Sequence, residues 1–325
     1  MTKSEQKREG SFCSHCTKNY TKTENQEVEK IVAIPFEPVT LSSSDRGWRQ
    51  LGVLGVIATL ILIGIYAPVF PGLFSDWWND PNYSHGFLVP LFSAYLVWQD
   101  REHLKKLPVQ GSWLGLGVLC GGIGALVLGD IGAEDFLTRS SLICILAGLI
   151  LFHLGMHFFR SLLFPLGFLF FMVPLPAIIF NAVAFPLQGL AARNATAALD
   201  LLGIPVLRDG NVIHLSHISL GVTEACSGIR SLVSLLALAV AWAYLTLPGL
   251  WSRLVLILSA IPITIVANAG RVIVTGLIGQ WFGVKYAQGV FHSFSGWIIF
   301  LVAFAGLFGV HTLLQKWAQS KIGTE

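Results

Sequence analysis

The hydrophobic positions of the chain gather into eight apolar segments, near 51–70, 84–98, 113–129, 140–157, 161–180, 226–247, 252–281 and 295–315. A helix that crosses the hydrocarbon core needs roughly 20 such residues. The pattern predicts an all-α polytopic membrane protein of about eight transmembrane helices, with 84–98 the shortest span. Residues 1–48 mix Lys, Glu, Ser, Thr and Asn with little apolar periodicity, which predicts a disordered cytoplasmic tail ahead of a transmembrane domain at 49–325. No cleavable signal is expected, and the run from Leu51 is long enough to act as an uncleaved anchor.

One stretch departs from the spanning pattern. Asn181 to Leu202 carries Pro186, Gln188, Arg193, Asn194 and Asp200 at the spacing of an amphipathic helix lying in the interface. After Gly203, Asp209-Gly210 is a turn signal between alternating residues, which predicts a small extracytoplasmic hairpin before the sixth span.

Loop charge sets the orientation. Arg101, Lys105 and Lys106, then Arg160, Arg253, and Lys316 with Lys321 fall in alternate loops; Asp76, Asp80, Asp130, Glu134 and Asp135 fall in the others. Both termini are therefore expected in the cytoplasm.

Composition agrees with lipid as the main solvent. The 325 residues are 54% hydrophobic and 12% charged, with mean hydropathy +0.68, where soluble domains carry about 25% charged residues. The net charge of +3 comes with no basic stripe interleaved with aromatics, which argues against nucleic acid as a partner. Cys13 and Cys16 form a lone C-x-x-C in the polar head; with no second pair nearby, an incidental pair is the simpler reading, and no metal or cofactor is expected.

The segment GVTEACSGIRSL, 221–232, carries the strongest candidate chemistry. Cys226 stands where a polar approach becomes an apolar helix. A helix N-terminus favours a thiolate, and the free amides from Ser227 and Gly228 onward are able to hold an oxyanion. Gly228 permits close approach of a substrate backbone. Arg230 follows Cys226 by four residues on the same helix face. The alternative is that Cys226 is another small buried residue, as expected for Cys120 and Cys144.

In the seventh segment Asn268 and Arg271 share a face inside an apolar run. Arg253 marks the inner end, and the 18 residues from there to Arg271, at about 1.5 Å each, rise roughly 27 Å toward the outer face. Arg271 either serves a site there or snorkels to outer headgroups. His292, in GVFHSFSGWIIF at 289–300, lies at the outer mouth of the eighth segment and is the residue type for proton transfer near neutral pH. A fourth cluster, NDPNYSHGFLVP at 79–90, puts Tyr83 and His85 on the same side, as part of a substrate entrance or as interfacial anchors.

In order and spacing these blocks resemble the exosortase/archaeosortase family of membrane cysteine enzymes. The resemblance rests on E-A-C-S-G-I-R-S around Cys226, N-x-x-R at Asn268 and Arg271, F-H-x-x-x-G-W from Phe291 to Trp297, and Y-S-H-G at 83–86. It implies a protease or transpeptidase of the inner membrane that recognises a C-terminal sorting signal: a Pro-Glu-Pro-like motif, a transmembrane helix and a basic cluster. Its partners would be membrane-anchored proteins bearing that signal, with a surface molecule as acceptor. Cys226 would be the nucleophile, Arg271 the oxyanion or substrate-positioning group, and His292 the proton-transfer residue. Glu224, Ser227, Gly228, Arg230, Asn268, Tyr83 and His85 would contact substrate. The competing class is a non-enzymatic component of polysaccharide or lipid-carrier export, in which Arg271 holds an anionic head group.

Overall fold

The computed structural model describes residues 45–322 apart from 217, 223–227, 284, 285 and 287–289; side chains are described outside 45–52, 54, 290–293 and 320–322. The chain divides into two units, Met1–Leu60 and Ile61–Glu325. The expected tail at 1–48 falls almost wholly outside the described residues, as do Cys13 and Cys16.

The helices are α1 (Asp45–Tyr66), α2 (Val69–Asn79), α3 (Leu88–Gln99), α4 (Leu114–Ile131), α5 (Asp135–His153), α6 (Met156–Phe168), α7 (Ala177–Leu201), α8 (Ile229–Thr246), α9 (Leu250–Phe282) and α10 (Val290–Ile322). Five helices are long and apolar enough to cross a membrane, or up to seven if each of two bent pairs forms one span. The protein is thus an all-α polytopic membrane protein, but the count of eight expected from the apolar segments is not reproduced. At 84–98, a 3-10 turn over Ser84–Phe87 consumes the start and leaves a 12-residue helix. The segment at 161–180 is broken, because a second 3-10 turn, Leu169–Met172, follows α6, and the chain then bends 76° into α7 near Pro174 and Pro176. Proline lacks the amide that would continue the helix and restricts the residue before it.

Small residues bring the helices together, as expected where lipid supplies no hydrophobic drive between them. Gly115, Gly122 and Gly129 recur every seventh residue on α4, and a β-carbon at each would collide with Phe152, Ile145 and Thr138 of α5. Ala239 and Ala243 of α8, Ala260 and Ala267 of α9, and Ala303 of α10 pack with Leu235, Leu256 and Leu307 in one cluster. Around that cluster, α9 runs unbroken for 33 residues.

Between α7 and α8 lies a three-stranded antiparallel sheet, β1 (Val206–Asp209), β2 (Val212–Leu215) and β3 (Ser219–Gly221), where a two-stranded hairpin was expected. Gly210 opens the tight connection at φ +59°, a backbone conformation that costs glycine little. Ile213, Leu215, Ile218, Leu220 and Val222 bury against Ala191, Ala192, Ala195 and Leu199 of α7 and Val272 of α9. The helix expected to lie in the interface is α7, and this face of it is covered by the sheet and α9. Asn211 clips the sheet edge by donating to Gln188 Oε1 and the Val222 carbonyl, both at 3.2 Å.

Candidate active site

In the chain, the sheet precedes α8. Val222 is 2% exposed, and its amide donates to the Asn211 carbonyl at 2.9 Å. Glu224, Cys226 and Ser227 fall in 223–227, outside the described residues. The chain resumes at Gly228, the residue capping α8, with φ +80°. A β-carbon here would sit 3.0 Å from Cβ and Cγ of Asn268. Glycine is therefore required twice, for the left-handed backbone and for contact with α9.

Asn268 is 3% exposed. One turn further along α9, the Arg271 Nε–H donates to Ser295 Oγ of α10 at 3.0 Å, and Ser295 is itself 4% exposed. Gly296 lies under the same guanidinium, since a β-carbon there would be 3.8 Å from it. The Arg271 guanidinium thus bonds across to α10, which accounts for its tolerance in an apolar helix better than snorkelling alone. His292 belongs to α10, one turn before Ser295; its side chain is outside the described ones.

The 79–90 block also meets α8. The Arg230 Nε–H donates to Asn82 Oδ1 at 3.3 Å, and the Asn82 amide donates to Asp80 Oδ1 at 2.8 Å. His85 bridges two elements, with Nε2 3.1 Å from the Phe171 carbonyl and Nδ1 3.5 Å from Ser234 Oγ. The carbonyl only accepts, so Nε2 carries the proton and Nδ1 is left to accept from Ser234. Burial holds the imidazole below the ordinary histidine range, which keeps this neutral tautomer. Beside it, Trp77 Nε1 donates to the Met172 carbonyl at 2.8 Å and its ring covers Gly86. Tyr83 packs 6.5 Å from Phe180 of α7, whose cluster includes Ile229 of α8.

Four stretches distant in sequence therefore touch in series: 80–85 on α8, α8 on Asn268, and Arg271 on α10. Asn82, Ser234 and Ser295 were not singled out from sequence. Ser234 follows Arg230 by one helical turn, and Ser295 follows His292 by three residues, so helical spacing from a residue already marked carried the signal. The backbone carbonyls of Phe171 and Met172 have no side-chain signature at all.

These features define a membrane protein of bundled helices in which residues of the marked sequence blocks meet around the N-terminal half of α8. The family described as transmembrane exosortase (Exosortase_EpsH) matches residues 77–309, a stretch that includes every motif residue above. The chain belongs to that family. Searches of curated proteins and of solved structures gave no match.

Proposed function

We propose that the chain is a cysteine protease or transpeptidase that cuts C-terminal sorting signals of exported proteins at the outer face of the cytoplasmic membrane. The observation that carries this reading is the packing of Gly228 on Asn268, one helical turn from the Arg271–Ser295 bond. Two residues of chain span at most about 7 Å, which tethers Cys226 to that junction. His292 precedes Ser295 by three residues and so shares a face with it by helical spacing.

In the proposed reaction, the Cys226 thiolate adds to the scissile carbonyl, and the resulting oxyanion is held by Arg271 and the amides at the start of α8. Collapse breaks the C–N bond; His292 gives its proton to the leaving amine and leaves a thioester on sulfur. His292 then takes a proton from water or an acceptor amine as that nucleophile attacks, and the thiolate departs. Water completes a protease cycle, and an amine completes a transpeptidase cycle. In this reading Tyr83, His85, Glu224, Ser227, Gly228, Arg230 and Asn268 contact the substrate.

The test is co-expression with a reporter ending in a Pro-Glu-Pro motif, an apolar helix and an arginine cluster. The wild-type chain should shorten the reporter on a gel, and Cys226→Ala should leave it full length. Normal shortening by that variant would favour the non-enzymatic export reading, in which cysteine has no necessary role.

A further inference from the structure

Between α6 and α8 lies a groove of about 470 Å³, lined by Arg160, Phe164, Phe168, Phe171, Val240 and Tyr244 among others. That size falls within the roughly 300–1,000 Å³ typical of ligand sites. Phe164 and Tyr244 stack on each other with centroids 3.6 Å apart and planes within 4°, and both line it. Most of its length is apolar, and none of its lining residues is acidic.

One lining residue is different. Arg160 is exposed and, among the described residues, its side chain makes no hydrogen bond or ion pair. The Arg253 guanidinium lies 5.4 Å over the Tyr244 ring while donating to the Leu247 carbonyl at 2.9 Å. Arg160 thus lines an otherwise apolar slot, and Arg253 attends Tyr244, another of its lining residues. Tyr244 lies 14 residues along α8 from Arg230, which at about 1.5 Å per residue is some 21 Å from the candidate active site.

The geometry points to a bound anionic phospholipid, with its phosphate on Arg160 and an acyl chain lying along Phe164 and Phe168 toward Phe171. A cation at the edge of the apolar layer is costly without a counter-charge, and basic pockets between spanning helices are suited to anionic head groups. The eight residues from Arg160 to Phe168 cover about 12 Å at helical rise, enough for much of one chain. A hydrophobic helix from a protein would leave Arg160 without that charge, and a basic tail on it would be repelled. The far end of the groove is Phe171, whose carbonyl receives His85. Lipid occupancy therefore supports the same 3-10 turn that fixes the block at 80–85.

The experiment is native mass spectrometry and thermal unfolding of the detergent-solubilised chain, with dioleoyl phosphatidylglycerol, dioleoyl phosphatidylcholine and inorganic phosphate as probes. The wild-type chain should retain phosphatidylglycerol at least fivefold more than phosphatidylcholine. Arg160→Gln should lose that preference, Arg160→Lys should keep most of it, and Arg101→Gln, which removes an exposed cation elsewhere, should keep all of it. Gly167→Leu, placed in the groove wall, should weaken retention of both lipids. Equal retention of the two lipids by the wild-type chain overturns the proposal, as does an unchanged preference in Arg160→Gln. The proposal fails equally if Arg101→Gln acts like Arg160→Gln, or if phosphate alone protects as well as phosphatidylglycerol. Should Arg160→Gln fail to fold by circular dichroism, the wild-type and Gly167→Leu arms still decide the matter.

Discussion

At Gly228 the backbone enters α8 at φ +80° with α9 at van der Waals range. An alanine there would pay about 1–2 kcal/mol for the left-handed conformation and would press its methyl group on Asn268. Because the strain arises two residues from Cys226, it should be relieved by moving the start of α8 and not by unfolding the bundle. Gly228→Ala is expected to slow reporter cleavage at least tenfold while helix content by circular dichroism stays unchanged. Cleavage at the wild-type rate would show that the turn does not position the thiol. Much of this was legible from sequence: Cys226, Arg230, Asn268 and Arg271 are polar residues where lipid-embedded helices should have none. Arg139 was not, because at the head of an apolar segment it reads as one more interfacial cation.

Within the elements, Arg139 is the least expected feature. It is 6% exposed on α5 and bonds Asp76 of α2 at 2.5 Å and Asp135, one turn back, at 2.8 Å. Asp76 is 39% exposed and Asp135 77% exposed, so the two ends of this network differ in what water can replace. If Arg139 is lost, both carboxylates turn to solvent. If Asp76 is lost, a buried guanidinium keeps only the more exposed acid, and stranding a buried charge costs about 3–5 kcal/mol when nothing compensates. Asp76→Ala should therefore lower the unfolding temperature more than Arg139→Met; the reverse order would mean that the pair is solvated like a surface bridge. The acidic loops used to assign orientation thus also hold an arginine on their own side, with its charge neutralised.

The 3-10 turn at Ser84–Phe87 also acts as an element, through His85. Its folded-state pKa lies below the unfolded value, so unfolding takes up a proton in the window between them. The stabilising contribution is complete above about pH 6.5 and is lost as pH falls through the folded pKa beneath it. Thermal unfolding between pH 7.5 and 5.5 should fall more steeply for the wild-type chain than for His85→Asn, which keeps a donor and an acceptor but does not titrate. Parallel slopes would remove His85 from the account. Sequence periodicity placed these residues inside a span because Leu88–Gln99 continues the apolar run; the turn exists because carbonyls of another segment receive His85 and Trp77.

Across the whole molecule, the two ends of α8 have opposite character. The Arg230 end meets Asn82 and the helix of Asn268, whereas at the Tyr244 end Arg253 lies over the tyrosine ring and Arg160 lines the same groove. Arg160, near the start of α6, and Arg253, near the start of α9, both belong to the set of basic residues from which the sequence assigns a cytoplasmic side. Helix count was the weaker inference, since hydropathy registers apolar length and is blind to where prolines and 3-10 turns interrupt it. The polarity of α8 gives a direct test of which end faces the cytoplasm. With all five native cysteines replaced, single cysteines at Asn79 and Leu207 should react with a membrane-impermeant maleimide added to intact cells. Cysteines at Lys105 and Gly249 should react only after the membrane is opened. Labelling of Lys105→Cys from outside would invert the bundle, and a thiol at the start of α8 would then face the cytoplasm, where no exported substrate could present its sorting signal.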